Sequence, residues 1–242
     1  MKQDVLVPKE QDSEEHWVSI SDMMAGLMVI FLFIAISYML NVRADKEKIE
    51  KIAVTYEKLQ SDLYADLETE FEKDLYQWNA VLDRQTLSVR FKEPDVLFAQ
   101  GEAEVRPAFQ KILDDFFPRY IQVLRLSKYI NDIAEIRIEG HTSSEWFDGA
   151  SQEEAYIRNM ELSQDRTRSV LQYVLTIPVL SKDTINRNWL KQLLTANGLS
   201  SSKLIFNPDN TENRQESRRV EFRVRTNAEK RIVEIIKRKE KE

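Results

Sequence analysis

A single carboxylate, Asp22, stands at the start of the most apolar stretch of this 242-residue sequence. From Met23 to Leu40, eighteen residues follow without a charge. An aspartate at the centre of a membrane helix costs roughly 2.5–3.5 kcal/mol, and less near the interface. Ionisable residues kept within membrane helices usually mark an ion or proton path. Asp22 is therefore a candidate ion-carrying residue; the alternative is that it only starts a helix at the headgroup level.

Few other side chains have the types and spacing that catalysis needs. There is no cysteine, and the two histidines, His16 and His141, cannot form a histidine-rich metal site. The five glycines form neither a phosphate-binding loop nor a G-x-S-x-G nucleophile elbow. A net charge of −6 argues against general nucleic-acid binding. We therefore expect a protein that is not an enzyme, uses no cofactor and does not bind nucleic acid directly.

The uncharged run and the residues before it predict one transmembrane helix over residues 17–40. At 1.5 Å per residue the run spans roughly 27 Å, close to the ~30 Å hydrocarbon core of a bilayer. A cleaved signal peptide is the alternative. It is disfavoured because the segment before the run is acidic, the run is long, and bulky residues follow it from Tyr38 to Asn41. Residues 1–16 are predicted to be a short, disordered cytoplasmic tail.

Residues 41–84 carry one helical stripe of apolar side chains and are predicted to be a helical linker. The stripe consists of Val42, Ile49, Ile52, Tyr56, Leu59, Leu63, Leu67, Phe71, Leu75, Trp78 and Leu82. Such a stripe beside a membrane predicts a parallel coiled coil with a second copy of the chain, and hence a homodimer. The alternative is that its later part packs against the chain's own folded domain.

Residues 85–226 alternate strand and helix patterns and are predicted to form an α/β domain. We expect strands at 86–91, 133–139 and 219–225, an extended piece at 96–98, and helices at 107–126, 159–175 and 187–197. Pro118 is expected to break or kink the first helix, and Gly198 to cap the last. Residues 227–242 are predicted to be a charged, amphipathic helical tail.

Four segments of this domain, taken in order, resemble the OmpA-like peptidoglycan-binding family. They are VLFAQGEAEVRP at 96–107, IEGHT at 138–142, N-x-x-L-S-x-x-R at 159–166 and SRRVEF at 217–222. The resemblance implies an OmpA-like α/β sandwich domain that binds peptidoglycan.

Family motifs also imply the binding residues, which here are Asn159, Leu162, Arg166 and the position of Ser143. In the family, an aspartate following H-T and the arginine of the third motif hold the diaminopimelate group of peptidoglycan. A forked guanidinium suits the carboxylate of that group. Ser143 replaces the aspartate in this sequence, and Asp148 could substitute for it. The alternatives are that Arg166 forms an internal ion pair and that His141 is a structural residue.

The segment WVSISDMMAGLM at 17–28 is similar to the start of MotB-type stator subunits. Those chains share the order of tail, aspartate-bearing helix, linker and OmpA-like domain, and the nearest sub-family is the B subunit of the Zorya anti-phage defence system. The resemblance implies an inner-membrane motor subunit, embedded in membrane lipid, in which Asp22 carries protons as the coupling ion. Its implied partner is a MotA/ZorA-like pentameric membrane subunit. A flagellar MotB stator and a passive OmpA-like cell-wall tether are the alternatives.

The basic residues that flank the helix and the family resemblance predict opposite orientations of the chain in the membrane. The basic residues near the helix are Lys2 and Lys9 before it, and Arg43, Lys46, Lys48 and Lys51 after it. The positive-inside rule thus favours a cytoplasmic C-terminal domain, whereas the resemblance implies a cytoplasmic N-terminus and a periplasmic domain. We follow the resemblance, because the rule has exceptions and the N-terminal tail is short.

Overall fold

The computed structural model describes residues 11–92, 94–146, 149–181 and 184–227. The chain divides into two units, residues 1–54 and 55–242, and helix α1, Gln11–Leu75, contributes residues to both. Residues 1–10 of the predicted N-terminal tail lie outside the described residues, as does the predicted C-terminal helix from residue 228 onward.

In its described part, the first unit is the N-terminal portion of α1. This helix begins at Gln11, so residues 11–16 of the predicted tail are helical and the helix starts before residue 17. Within the described ranges it is the one helix that is long and apolar enough to cross a membrane. Asp22 directly precedes the uncharged run of this helix, Met23 to Leu40. The side chains of residues 21–40 are exposed in the isolated chain, as suits contact with lipid or partner helices.

The second unit is built on a five-stranded sheet in the order β1-β2-β5-β3-β4. The strands are β1 Ala80–Asp83, β2 Ser88–Phe91, β3 Ile133–His141, β4 Leu194–Gly198 and β5 Arg219–Thr226. The β3–β4 pair is parallel, and the β1–β2, β2–β5 and β3–β5 pairs are antiparallel. This mixed sheet with its helices confirms the predicted fold class.

The helices of the second unit are α2 Pro94–Leu97, α3 Pro107–Leu124, α4 Gln152–Thr176, α5 Pro178–Ser181, α6 Thr184–Leu193 and α7 Arg214–Ser217, together with the end of α1. Helix α3 continues through Pro118, so the predicted break does not occur. Its buried aromatic face, including Phe116 and Tyr120, offsets the hydrogen bond that proline cannot donate. Helix α4 begins at Gln152, before the predicted residue 159, because Ser151 and Glu154 form a capping box.

Two predicted elements have the wrong type. Residues 96 and 97 end helix α2 and are not extended, because Pro94 stands at the first helical position, where its fixed φ favours a helix. Residues 194–197 were predicted as helix but form β4, which pairs with β3 from Ile136 opposite Leu194 onward. Gly198 therefore ends a strand and caps no helix. Pairing with a strand distant in sequence outweighs the local helical pattern.

The end of α1 belongs to the folded domain. Leu63, Leu67 and Phe71 are fully buried in the core that also contains the sheet. The Phe71 ring lies 5.2 Å from that of Phe116. Arg119 of α3 fastens the same turn, donating to Glu70 Oε1 over 2.7 Å.

The folded unit thus begins upstream of the boundary predicted at residue 85, and strand β1 also precedes that boundary. The later part of the apolar stripe packs in the core of the chain's own domain, because Phe71 and its neighbours bury more apolar surface there than on an exposed linker. The homodimer stays a prediction, now for the earlier part of the stripe, where Val42 and Ile49 are exposed.

Replacing Phe71 with Ala is expected to destabilise the domain by about 3–5 kcal/mol, because it empties a fully buried aromatic position. Chemical unfolding of the detergent-solubilised chain, followed by tryptophan fluorescence, measures the change. The matched control is Glu72→Ala, since Glu72 is exposed on the same turn of α1. Equal stability of the two variants would show that this turn is not part of the domain core.

Candidate functional site

The four residues predicted to bind peptidoglycan line one cavity of about 360 Å³ in the second unit. Asn159, Leu162 and Arg166 lie on one face of α4, as their spacing of three and four residues requires. Ser143 lies in the loop that follows β3. The cavity is also lined by Gln100, Gly101, Thr142, Glu145, Trp146 and Arg218.

Two glycines allow α4 to lie close against the sheet and so place this face. A Cβ at Gly140 of β3 would lie 2.7 Å from the Thr167 side chain. A Cβ at Gly198 of β4 would lie 2.3 Å from the backbone nitrogen of Gln164. A larger residue at either position would push α4, and the predicted binding residues on it, away from the sheet.

Arg166 is buried, with only 8% of its surface exposed, and its side chain is held in a defined orientation. Its Nε donates to the carbonyl of Glu102 over 2.8 Å, and its Nη2 donates to the carbonyl of Ala99 over 3.2 Å. The guanidinium also lies over the Phe98 ring, 4.8 Å from its centroid. These contacts join α4 to the segment before α3 and preorganise the arginine at the cavity wall.

Asn159 positions the loop after β3. Its amide nitrogen donates to the carbonyl oxygens of Ser143, over 3.2 Å, and Glu145, over 3.0 Å. Glu212 holds the intervening residue, accepting a hydrogen bond from the backbone nitrogen of Ser144 over 2.9 Å. Hydrogen bonds with Asn159 and with Glu212 thus hold loop 143–145 in place. We expect Asn159 to support binding by holding this loop in place.

Six of the lining residues were absent from the predicted site: Gln100, Gly101, Thr142, Glu145, Trp146 and Arg218. Glu145 and Trp146 stand in loop 143–149, which the sequence marks only by the serine in place of the family's aspartate, and Arg218 belongs to the fourth motif. The Glu145 carboxylate pairs with Arg214 over 2.7 Å. The predicted substitute Asp148 lies outside the described residues. The cavity therefore contains charges of both signs even though position 143 is a serine.

His141 lies in a buried network of charges on the sheet. Its Nε2 is 3.9 Å from a carboxylate oxygen of Glu221 and 4.0 Å from one of Glu139. The Glu221 Oε1 accepts hydrogen bonds from Arg219 Nε over 2.6 Å and from Arg90 Nε over 3.0 Å. Neither ring nitrogen of His141 has a hydrogen-bond partner among the described residues. The histidine is thus packed beside the cavity-lining loop and is not itself a lining residue.

Glu139, His141 and Glu221 bring three potential ligand atoms within 4.8 Å of one another, a spacing that could hold a metal ion. The guanidiniums of Arg219 and Arg90 already bind the Glu221 carboxylate, and their positive charge opposes an added cation. We therefore interpret the cluster as an internal charge network that stabilises the sheet next to the cavity.

Burial lowers the pKa of His141 to about 3, and the nearby Arg219 guanidinium acts in the same direction. Burial opposes the charge of Glu221, but its arginine partners outweigh that effect and hold the pKa of this carboxyl at about 2. At neutral pH the folded domain therefore contains a neutral imidazole beside an ionised Glu221.

Replacing His141 with Gln is expected to make domain stability less sensitive to acid. In the wild type, the unfolded chain binds a proton near pH 6.5, whereas the folded imidazole does not until about pH 3, so stability falls as pH drops through this window. This contribution is at most about 1.4 kcal/mol per pH unit. Chemical unfolding at pH 6.5, 5.5 and 4.5 measures it. Parallel pH profiles for the two proteins would contradict the neutral buried histidine.

Comparison with known proteins decides the family. The model of the OmpA family matches residues 97–219, from the end of α2 to the first residue of β5. The Zorya protein ZorB of Escherichia coli is 50% identical over 230 residues, covering 95% of this chain and 96% of that protein. The chain belongs to the ZorB family. This confirms the resemblance to the Zorya B subunit and to the OmpA-like domain that the sequence motifs indicated.

Solved structures similar to this ZorB-family chain include the following two. A MotB like protein from Desulfovibrio vulgaris is 24% identical with a TM-score of 0.47, covering 70% of this chain and 96% of its own. The periplasmic domain of Helicobacter pylori MotB is 18% identical with a TM-score of 0.39, covering 63% and 85% respectively.

The OmpA match includes the whole cavity lining but not the whole folded unit of this ZorB-family chain. All lining residues, from Gln100 to Arg218, fall within residues 97–219. The buried end of α1 and the β1–β2 pair lie upstream of the match. These upstream elements therefore extend the OmpA domain at the edge of its sheet.

Proposed function

We propose that this chain is the peptidoglycan-anchored B subunit of an ion-driven membrane motor that acts in Zorya anti-phage defence. The proposal rests on two features that occur together in one ZorB-family chain. Asp22 lies on the helix that can cross a membrane, and an OmpA domain places Asn159, Leu162 and Arg166 in one cavity. A passive tether would need the domain but would gain nothing from a carboxylate in its membrane helix.

In this proposal Asp22 carries the coupling proton. A carboxyl group can bind a proton and release it again, and the two forms differ in charge and in hydrogen bonding. A change between these forms alters the contacts of the helix with surrounding subunits. A dimer of this chain stands inside a pentamer of MotA/ZorA-like subunits, and proton flow past Asp22 drives rotation of that ring.

The OmpA domain fixes the chain to the cell wall. Arg166 offers a preorganised, forked donor for a carboxylate of the peptidoglycan peptide, and Leu162 supplies an apolar wall. Asn159 and Ser143 shape the loop over the cavity. The anchor requires the domain to be periplasmic and the N-terminus cytoplasmic, against the distribution of basic residues around the helix.

Co-expression of the chain with a MotA/ZorA-like multi-helix membrane protein tests the proposal. We expect the two to co-purify in detergent, with two copies of this chain to five of the partner by native mass spectrometry. The same complex should sediment with purified sacculi. A chain that purifies alone and stays in the supernatant would contradict both the motor and the anchor.

A further inference from the structure

We infer that Glu145 binds an ammonium group of the bound peptidoglycan peptide. Ser143, at the position of the family's aspartate, has no charge with which to bind that group. This inference rests on the proposed wall-binding function. It adds a specificity-determining residue for the diamino acid end of that ligand, which carries a free amine as well as a carboxylate.

The charges of the cavity point to such a ligand. Three lining residues are charged, Arg166 and Arg218 with positive charge and Glu145 with negative charge. Among the described lining residues, Glu145 is the one carboxylate. A ligand that carries only a carboxylate would make no favourable contact with Glu145. Electrostatic complementarity therefore predicts a positive group on the ligand.

Glu145 is also placed for this role by its backbone. The side-chain amide of Asn159, on α4, donates to the carbonyl oxygens of Ser143 and Glu145 over 3.2 and 3.0 Å. The helix that bears Arg166 therefore also holds the backbone of Glu145. Positive and negative groups are thus presented from one rigid support, as recognition of a zwitterion requires.

The existing partner of Glu145 does not prevent ligand binding. Arg214 Nη1 contacts Oε1 of Glu145, and both side chains are about half exposed, at 54% and 51%. Exposed ion pairs contribute little stability. A carboxylate has two oxygens and about four acceptor positions, so Glu145 can accept from an ammonium group while it remains beside Arg214.

The test measures sedimentation of the full chain in detergent with two preparations of sacculi, one untreated and one whose free amines have been acetylated. We expect the wild type to bind acetylated sacculi about tenfold more weakly, the effect of losing one charge-assisted hydrogen bond. Glu145→Gln should bind untreated sacculi as weakly as the wild type binds acetylated ones. It should show no further loss on acetylation, because the two changes remove the same interaction.

Two variants complete the test. Glu161→Gln removes an exposed carboxylate from α4 outside the cavity lining and should behave like the wild type. Adding Ser143→Asp to Glu145→Gln should restore sensitivity to acetylation, because a carboxylate returns to the same loop. Unchanged thermal unfolding of Glu145→Gln shows that the domain is intact, as expected for a half-exposed side chain.

The outcomes separate the inference from the proposed function. Wild-type binding to untreated sacculi, together with equal acetylation sensitivity in wild type and Glu145→Gln, would overturn the role of Glu145 and leave the wall anchor standing. Wild-type binding that does not respond to acetylation would overturn the zwitterionic ligand. Absence of wild-type sedimentation with untreated sacculi would overturn the proposed anchor, and the inference with it.

Discussion

Replacing Asp22 with Asn is expected to abolish phage protection while leaving the membrane complex assembled. Asparagine has nearly the same size and keeps the hydrogen-bonding capacity of the side chain, but it cannot bind or release a proton in this way. The helix should therefore still insert, since the substitution also removes the cost of placing a charge in the bilayer. Efficiency of plating with and without the complete system measures protection. Co-purification of the membrane partner measures assembly.

Ser21→Ala is the matched control for Asp22→Asn, because Ser21 is the adjacent polar residue on the same helix. It should retain protection. Asp22→Glu keeps the titrating group at a displaced position and should retain part of the activity. Full protection by Asp22→Asn would rule out proton transfer at this residue and favour the passive tether.

Replacing Arg166 with Ala is expected to reduce retention of the chain on sacculi at least tenfold. A charge-assisted, forked contact with a carboxylate is lost, and such contacts contribute about 1.5–3 kcal/mol. The structure adds a second effect, because the same guanidinium binds the carbonyls of Ala99 and Glu102. We therefore also expect a lower unfolding temperature. Sedimentation with sacculi and thermal unfolding, measured on the same preparations, separate the two effects.

Arg168→Ala is the matched control, because Arg168 is an exposed arginine on the same helix and pairs with Asp165. It should sediment like the wild type. Arg166→Lys keeps the positive charge but loses the fork, so its retention should be intermediate. A folded Arg166→Ala variant with full retention would show that the ligand binds elsewhere.

The family resemblance implied three binding residues on α4, and their common placement could be predicted from the sequence because it is local. Asn159, Leu162 and Arg166 have helical spacing, so any helix through them places all three on one face. The membrane helix is local in the same sense, since a run of uncharged residues from Met23 to Leu40 identifies it without reference to the rest of the chain. Strand β5 likewise follows from its alternating pattern.

Other features depend on contacts between distant residues. The stripe around Phe71 has the same pattern whether it packs on a second chain or on α3, and only its contact with Phe116 decides between them. Residues 194–197 have a helical pattern but pair with β3 as β4. The replaced aspartate marks loop 143–149 in the sequence but does not single out Glu145, which becomes a lining residue because Asn159, on another element, holds its loop.

The sequence by itself thus determined the long apolar helix with Asp22, the α/β class, and the family motifs that place three predicted binding residues on α4. The helix and the fold class rest on short-range patterns, set by the helical repeat, the strand alternation or the thickness of a bilayer, and the motifs are short segments of sequence. Only the tertiary structure decided where the domain begins, which charges meet in the cavity and how Arg166 is held. Those features arise from burial and hydrogen bonds between segments far apart in the chain, whose free energies no local pattern records.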